Sequence, residues 1–128
     1  MTLTCQLDAL RQMDPGCRLA AFGDLGASIV LRSSSETARP QEYLDDLCQQ
    51  ARRGFLALDA AAGANGSVAA AAAQDVLVLA PGEARLFLRA VGGSGDAVLC
   101  VCADAGAAAR LAAPARQLLA QLNGGNDG

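Results

Sequence analysis

Residues 74–104, reading QDVLVLAPGEARLFLRAVGGSGDAVLCVCAD, hold three apolar runs divided by two turn signals, with no helical periodicity between them. Pro81-Gly82 supplies a tight turn, because proline presets φ and glycine accepts a positive one. Gly92-Gly93-Ser94-Gly95 opens the second turn. Runs 75–80, 84–91 and 96–103 therefore predict a three-stranded antiparallel meander. The outer two runs do not alternate, the pattern of strands covered on both faces, whereas Arg85 and Arg89 mark a partly exposed face of the middle one. Helices must then lie on both sides of the sheet.

Upstream, Leu3, Leu7, Leu10 and Met13 recur at helical spacing, with Asp8 and Arg11 placed to pair on the outer side. Asp14-Pro15-Gly16 ends that helix, since proline disfavours helix in the residue before it. Runs 17–22 and 28–32 are β-prone and joined by Gly23-Asp24-Leu25-Gly26, a hairpin signal whose glycines suit positive φ. Ser33, Ser34, Ser35, Glu36 and Thr37 read as a polar loop, and Pro40 suits the first turn of a long helix over 40–58. At about 100° per residue, Tyr43, Leu44, Leu47, Cys48, Ala51, Gly54, Phe55 and Leu58 fall on one stripe. It is wider than sitting on a sheet requires, so part of it is expected to face a second protein. Asp45, Gln49, Arg52 and Arg53 lie opposite, where Leu56 is an apolar residue directed to solvent. Gly63, Asn65 and Gly66 are expected to end the helix within the alanine-rich segment 60–73, whose Ala69 to Ala73 run fits helix or extended chain. A last helix over 107–122 carries Leu111, Ala115, Leu118, Leu119 and Leu122 inward, and Pro114 inside it predicts a kink. One domain over 1–122 and a flexible tail over 123–128 account for the 128 residues.

Composition removes whole classes of function. All ten basic residues are arginine, histidine is absent, and 13 acidic residues give a formal charge of −3. Nucleic-acid binding draws its affinity from clustered cations, so this balance argues against it. The lack of histidine removes the commonest general base and the commonest metal ligand. Cys100 and Cys102 share one strand face, but tetrahedral zinc needs two more ligands and Cys5, Cys17 and Cys48 lack the spacing, so the thiols read as core. The glycine loop is followed by Asp96 and a strand, with no lysine and no helix N-terminus, so it is no phosphate cradle. Asp45 and Asp46 are neighbours pointing about 100° apart, unsuited to a carboxylate pair. No catalytic residue, metal or cofactor is predicted. Arg52, Arg53, Arg85 and Arg89 read first as solvated structural arginines, with a patch meeting acidic surfaces or phosphate as the alternative. The N-terminus lacks a signal-peptide core and no run is long enough to span a bilayer, which together with five cysteines in no framework predicts a cytoplasmic protein.

The order helix, two strands, helix, three strands, helix, with the segments GCRLAAFGDLGASIVLRSSS, PQEYLDDLCQQARRGFLAL and DVLVLAPGEARLFLRAVGGSGDAVLCVCAD, resembles the Roadblock/LC7 family over roughly residues 3–122. The resemblance implies an α+β sandwich of profilin-like architecture. Its five-stranded antiparallel sheet would carry the first and last helices on one face and the middle helix on the other. It also implies a dimer in which Val76, Leu77, Val78 and Leu79 pair across a two-fold axis while the middle helices pack side by side, with Tyr43, Leu47 and Gly54 at the seam. Bacterial members commonly regulate small Ras-like GTPases by docking on them, and eukaryotic members are dynein light chains and scaffold subunits. The expected function is thus a non-catalytic regulatory or scaffold module, a homodimer or a heterodimer with a paralogue, that binds a small Ras-like GTPase through Asp46, Gln49, Arg53 and Leu56. Pro114 and the alanine-rich linker depart from the family's pattern. Independently of the resemblance, an edge strand as apolar as Val76 to Leu79 is an aggregation hazard unless paired, and symmetric pairing closes it. Two alternatives stand beside this one. A secretion-chaperone-like dimer binding an effector has three strands before the middle helix and two after it, and a small-molecule-sensing domain needs a polar-lined pocket.

Overall fold

The computed structural model describes residues 2–65 and 74–124. In chain order it forms α1 (Leu3–Gln12), β1 (Cys17–Asp24), β2 (Ile29–Ser35), α2 (Gln41–Asn65), β3 (Asp75–Ala80), β4 (Glu83–Arg89), β5 (Asp96–Cys102) and α3 (Ala105–Gly124). The strands make one antiparallel sheet in the order β2-β1-β5-β4-β3. Two strands precede α2 and three follow it, opposite to the chaperone-like order.

The core is two layers divided by the sheet. Leu7 and Leu10 of α1 join Leu111, Ala115, Leu118 and Leu119 of α3 on one face, against Ala20, Leu86, Leu88, Val98 and Cys100. On the other face Leu44, Leu47, Cys48, Ala51 and Phe55 of α2 cover Leu19, Ala21, Phe87, Leu99 and Val101. A register shift between Cys17 and Leu19 leaves Arg18 as the extra residue of a β-bulge. It turns Cys17 toward the α1 and α3 layer while Leu19 faces α2, although residues two apart normally share a face.

Several sequence expectations are revised. Central β5 is buried from Ala97 onward, as expected of a strand covered on both faces, but β3 alternates, with Asp75, Leu77 and Leu79 exposed. The cover on the α3 side stops short of this edge. The serines 33–35 belong to β2, paired with Leu19, Ala20 and Ala21, rather than to a loop. Ser34 is tolerated there because its hydroxyl donates to Asp8 and accepts from Arg11 Nε at 2.8 Å. Asp8 and Arg11 therefore reach inward to the sheet instead of pairing outside. The β1–β2 turn is nucleated by Asp24, whose carboxylate accepts the N–H groups of Gly26 and Ala27. Its left-handed residue is Ser28, with φ of 58°, and not a glycine. At Pro81-Gly82 the expected geometry holds, Gly82 having φ of 73°. The middle helix runs past the apolar stripe that ends at Leu58 and through Gly63 to Asn65, within the Gly63-Asn65-Gly66 signal expected to end it, and α3 continues to Gly124 across Pro114. The Ala69 to Ala73 run and the end of the tail lie outside the described residues.

Asp14 locks the turn after α1 to α3. Nearly buried, it accepts the Gly16 N–H at 2.8 Å and Arg110 Nε at 2.5 Å. The Arg110 hydrogen bond, then that of Gly16, holds its carboxyl below the usual 3.8 against the opposing effect of burial. A depressed native value means the stabilisation is full above the unfolded value and is lost as pH falls through the native one. Thermal melts from pH 6 to pH 2 should accordingly show a shallower acid decline for Asp14→Asn than for the wild-type chain. Identical slopes would refute that role.

Candidate functional site

An open sheet has two edges, here β2 and β3, and the chain treats them differently. At the β2 edge α2 supplies side chains to the backbone. The Val30 N–H donates to Asp45 Oδ1 at 3.1 Å, the Val30 carbonyl accepts from Gln41 Nε2 at 3.0 Å, and Gln41 and Asp45 are joined at 2.9 Å. A register shift in the pairing of β2 with β1 further disrupts this edge near Leu31, and Arg32 places a charge there. Bulges, charges and covered backbone groups are the devices that keep an edge from recruiting another strand.

Among the described residues no such guard stands over β3. Arg89 N–H donates to the Gln74 carbonyl at 3.0 Å. With the register Val76 to Phe87 and Val78 to Arg85, the alternation of an antiparallel ladder turns the N–H and C=O groups of Asp75, Leu77 and Leu79 outward. Among the described residues nothing bonds the outward groups of Leu77 or Leu79. Their side chains are exposed as well, at 47% and 67%. Val76 and Val78 pack on the α2 side, so Leu77 and Leu79 lie on the opposite face. The strand is nonetheless held firmly at its start, where Arg116 of α3 donates to the carbonyls of Arg89 and Gln74, at 2.7 and 2.9 Å, and to the Asp75 carboxylate.

Beside this edge runs α2, brought close by a glycine. A Cβ on Gly54 would stand 3.0 Å from Val76 Cγ1, so a hydrogen here lets helix and strand touch. Gly54→Leu should push them apart and destabilise the fold by about 1–3 kcal/mol, the usual range for overpacking. Chemical denaturation giving an unchanged midpoint would contradict the contact. Of the other residues expected at a dimer seam, Tyr43 is half-buried beneath the Arg39 guanidinium, 4.9 Å from its ring centre. Leu47, at 1% exposure, is committed to the chain's own core and has no surface to offer a partner. Most of the wide α2 stripe is likewise consumed by the sheet.

The four residues expected to dock a partner share one face. Asp46, Gln49, Arg53 and Leu56 are all exposed, and Leu56 stands 57% open. Arg53 makes no hydrogen bond or ion pair among the described residues. Arg52 reaches Ser28 Oγ at 3.3 Å. Arg85 and Arg89 are structural instead. Arg85 joins Glu83 at 2.5 Å and Gln50 at 2.6 Å. Arg89 holds both Asp59 oxygens, at 2.7 and 2.9 Å, bonds Gln74 and lies 4.7 Å from the Phe55 ring centre, fastening α2 to β4. This network holds the Asp59 carboxyl below its ordinary value, the Arg89 hydrogen bond contributing most. Sequence reasoning missed Gln41 and Asp45 as guards of the β2 edge. Their i, i+4 spacing at a helix start was a visible signal of mutual contact, but not of the strand they would reach.

The cysteines offer little chemistry. Cys17, Cys48, Cys100 and Cys102 are buried. Desolvation pushes Cys48 up to about 11, with Asp45 and Asp24 adding to it. Cys17, Cys100 and Cys102 act as one group, in which hydrogen bonding to Cys17, together with burial, pushes the Cys100 and Cys102 thiols up, while the hydrogen bonds from Cys100 and Cys102 pull Cys17 down. Among the described residues no group of three or more His, Cys, Asp or Glu could hold a metal ion, and no helix is long and apolar enough to cross a membrane.

No protein-family model and no curated protein matches the chain, whereas solved structures do. The Roadblock/LC7 domain from Streptomyces avermitilis superposes with a TM-score of 0.75 at 16% identity, covering 100% of both chains. MglB of Myxococcus xanthus gives 0.72 at 12% identity, covering 95% of this chain and 94% of that one. The gliding protein MglB from Thermus thermophilus gives 0.69 at 19% identity, covering 92% and 88%.

Proposed function

We propose that this chain, which has the Roadblock/LC7 fold, is a non-catalytic regulatory or scaffold module that pairs with a second copy through β3 and docks a small Ras-like GTPase on α2. The observation that carries the pairing is the contrast between the two sheet edges. β2 is bulged and its Val30 backbone groups are taken by Gln41 and Asp45, while among the described residues two leucines of β3 and their backbone groups stay open. Symmetric addition of β3 to β3 would satisfy those groups and bury those leucines in one closed step. In that arrangement Tyr43, Gly54, Val76, Leu77, Val78 and Leu79 line the seam, and Leu47 supports it from below.

The GTPase reading rests on the fold, on solved neighbours that include gliding proteins, and on an exposed helix face mixing Asp46, Gln49, Arg53 and Leu56. Charged and polar side chains around one exposed aliphatic residue suit a reversible protein interface. The test is isothermal titration of the purified chain against small Ras-like GTPases from its own host, loaded with GDP or with a non-hydrolysable GTP analogue. One nucleotide state should bind at least tenfold more tightly than the other. Failure of every such GTPase to bind in either state would overturn this half of the proposal, and sedimentation as a monomer at micromolar concentration would overturn the other half.

A further inference from the structure

The α2 surface has two flanks. One carries Gly54 and sits on Val76 at the open edge. The other carries Arg52 and overhangs the turn between β1 and β2, so pairing through β3 leaves it free. There Ser28, Gln49, Arg52, Arg53 and Leu56 line an open dish of about 320 Å³. Ser28 has a left-handed backbone that a side-chain-bearing residue adopts only under constraint, and its hydroxyl, 3.3 Å from Arg52 Nη1, steers that guanidinium over the dish. No carboxylate lines the dish, and neither Arg52 nor Arg53 has an acidic partner among the described residues. On a chain of net charge −3, two cations with no acidic partner among the described residues thus stand beside an exposed leucine.

We infer that this dish receives a helical segment of the partner protein presenting a carboxylate and, one turn away, an aliphatic side chain. The carboxylate meets Arg52 and Arg53, whose planar guanidinium groups match carboxylate geometry, and the aliphatic side chain covers Leu56. Arg52 and Leu56 are four residues apart on α2, so the two halves of the dish are neighbours along the helix, as Glu and Leu four apart would be on the incoming one. The inference deepens the docking reading and rests on it for the identity of the partner, while the chemistry of the dish can be tested without the GTPase.

The probe is an acetylated, amidated helical peptide carrying Glu and Leu four residues apart, titrated into isotope-labelled protein and followed by NMR. Signals of Ser28, Gln49, Leu56 and the arginine Nε–H groups should move. Replacing the peptide's Glu by Gln, or using the protein variant Arg52→Gln/Arg53→Gln, should weaken binding at least fivefold while sedimentation stays that of the unaltered chain. Equal binding by the Glu and Gln peptides, shifts confined to another face, or no shift with the Glu peptide at millimolar concentration would overturn the inference. Because the peptide replaces the GTPase, a dish that binds it while no GTPase binds would sink only the GTPase reading.

Discussion

Leu77→Pro is expected to halve the sedimenting mass of the proposed dimer to that of the single 12.9 kDa chain. The Leu77 N–H points away from β4, so removing it breaks no ladder bond inside the protomer, and proline is tolerated on an edge strand in that orientation. In the pair the same change deletes one donor per copy and leaves the opposing carbonyls facing a ring. Two lost hydrogen bonds at about 1 kcal/mol each, and two acceptors stranded at about 1–3 kcal/mol each, give at least about 4 kcal/mol. That corresponds to more than a hundredfold in the dissociation constant. Circular dichroism should show an intact fold, and Leu77→Val should remain paired. If Leu77→Pro sediments as the wild-type dimer, the association does not run through this strand.

Arg53→Asp combined with Leu56→Asp is expected to weaken GTPase binding by at least a hundredfold while leaving self-association untouched. Both side chains are exposed and neither takes part in the core, so the fold loses little. Arginine is enriched among interface residues whose truncation is most costly. Reversing its charge replaces attraction with repulsion, and an aspartate at position 56 must be desolvated where a leucine was covered. The measurement is titration of the double variant against the GTPase that binds the wild-type chain, beside a sedimentation run at the same concentration. Unchanged affinity would move the docking surface off α2, and dissociation of the dimer would place Arg53 or Leu56 at the seam instead.

The meander and the element order are legible because turn chemistry and periodicity act locally. Pro81-Gly82 and the glycine loop punctuate three apolar runs whatever surrounds them. The position of each run within the sheet is not local. Val76-Leu77-Val78-Leu79 carries no alternation, so it reads as covered on both faces, and only the reach of α3 shows that cover to be missing. The serines of β2 read as a loop for a similar reason, since composition cannot register that Asp8 and Arg11 descend from α1 to satisfy Ser34. Gly63, Asn65 and Gly66 together read as a stop, and α2 passes the first of them and extends to Asn65, since a single weak propensity does not break a helix. On α2 the breadth of the apolar stripe is visible but its owner is not, and the sheet claims Leu44, Leu47, Cys48, Ala51 and Phe55 for itself. Asp46, Gln49, Arg53 and Leu56 do emerge together on the exposed side, because helical phase alone fixes that.

The clip formed by Gln41 and Asp45 on Val30 has a bearing on assembly size. A chain that joins others by adding strands grows for as long as each newcomer presents another accepting edge. Two live edges per chain make a filament, and one makes a pair. By taking the Val30 N–H and carbonyl of β2 with its own side chains, α2 would leave the protomer one accepting edge, so the proposed pairing would stop at a sheet of ten strands.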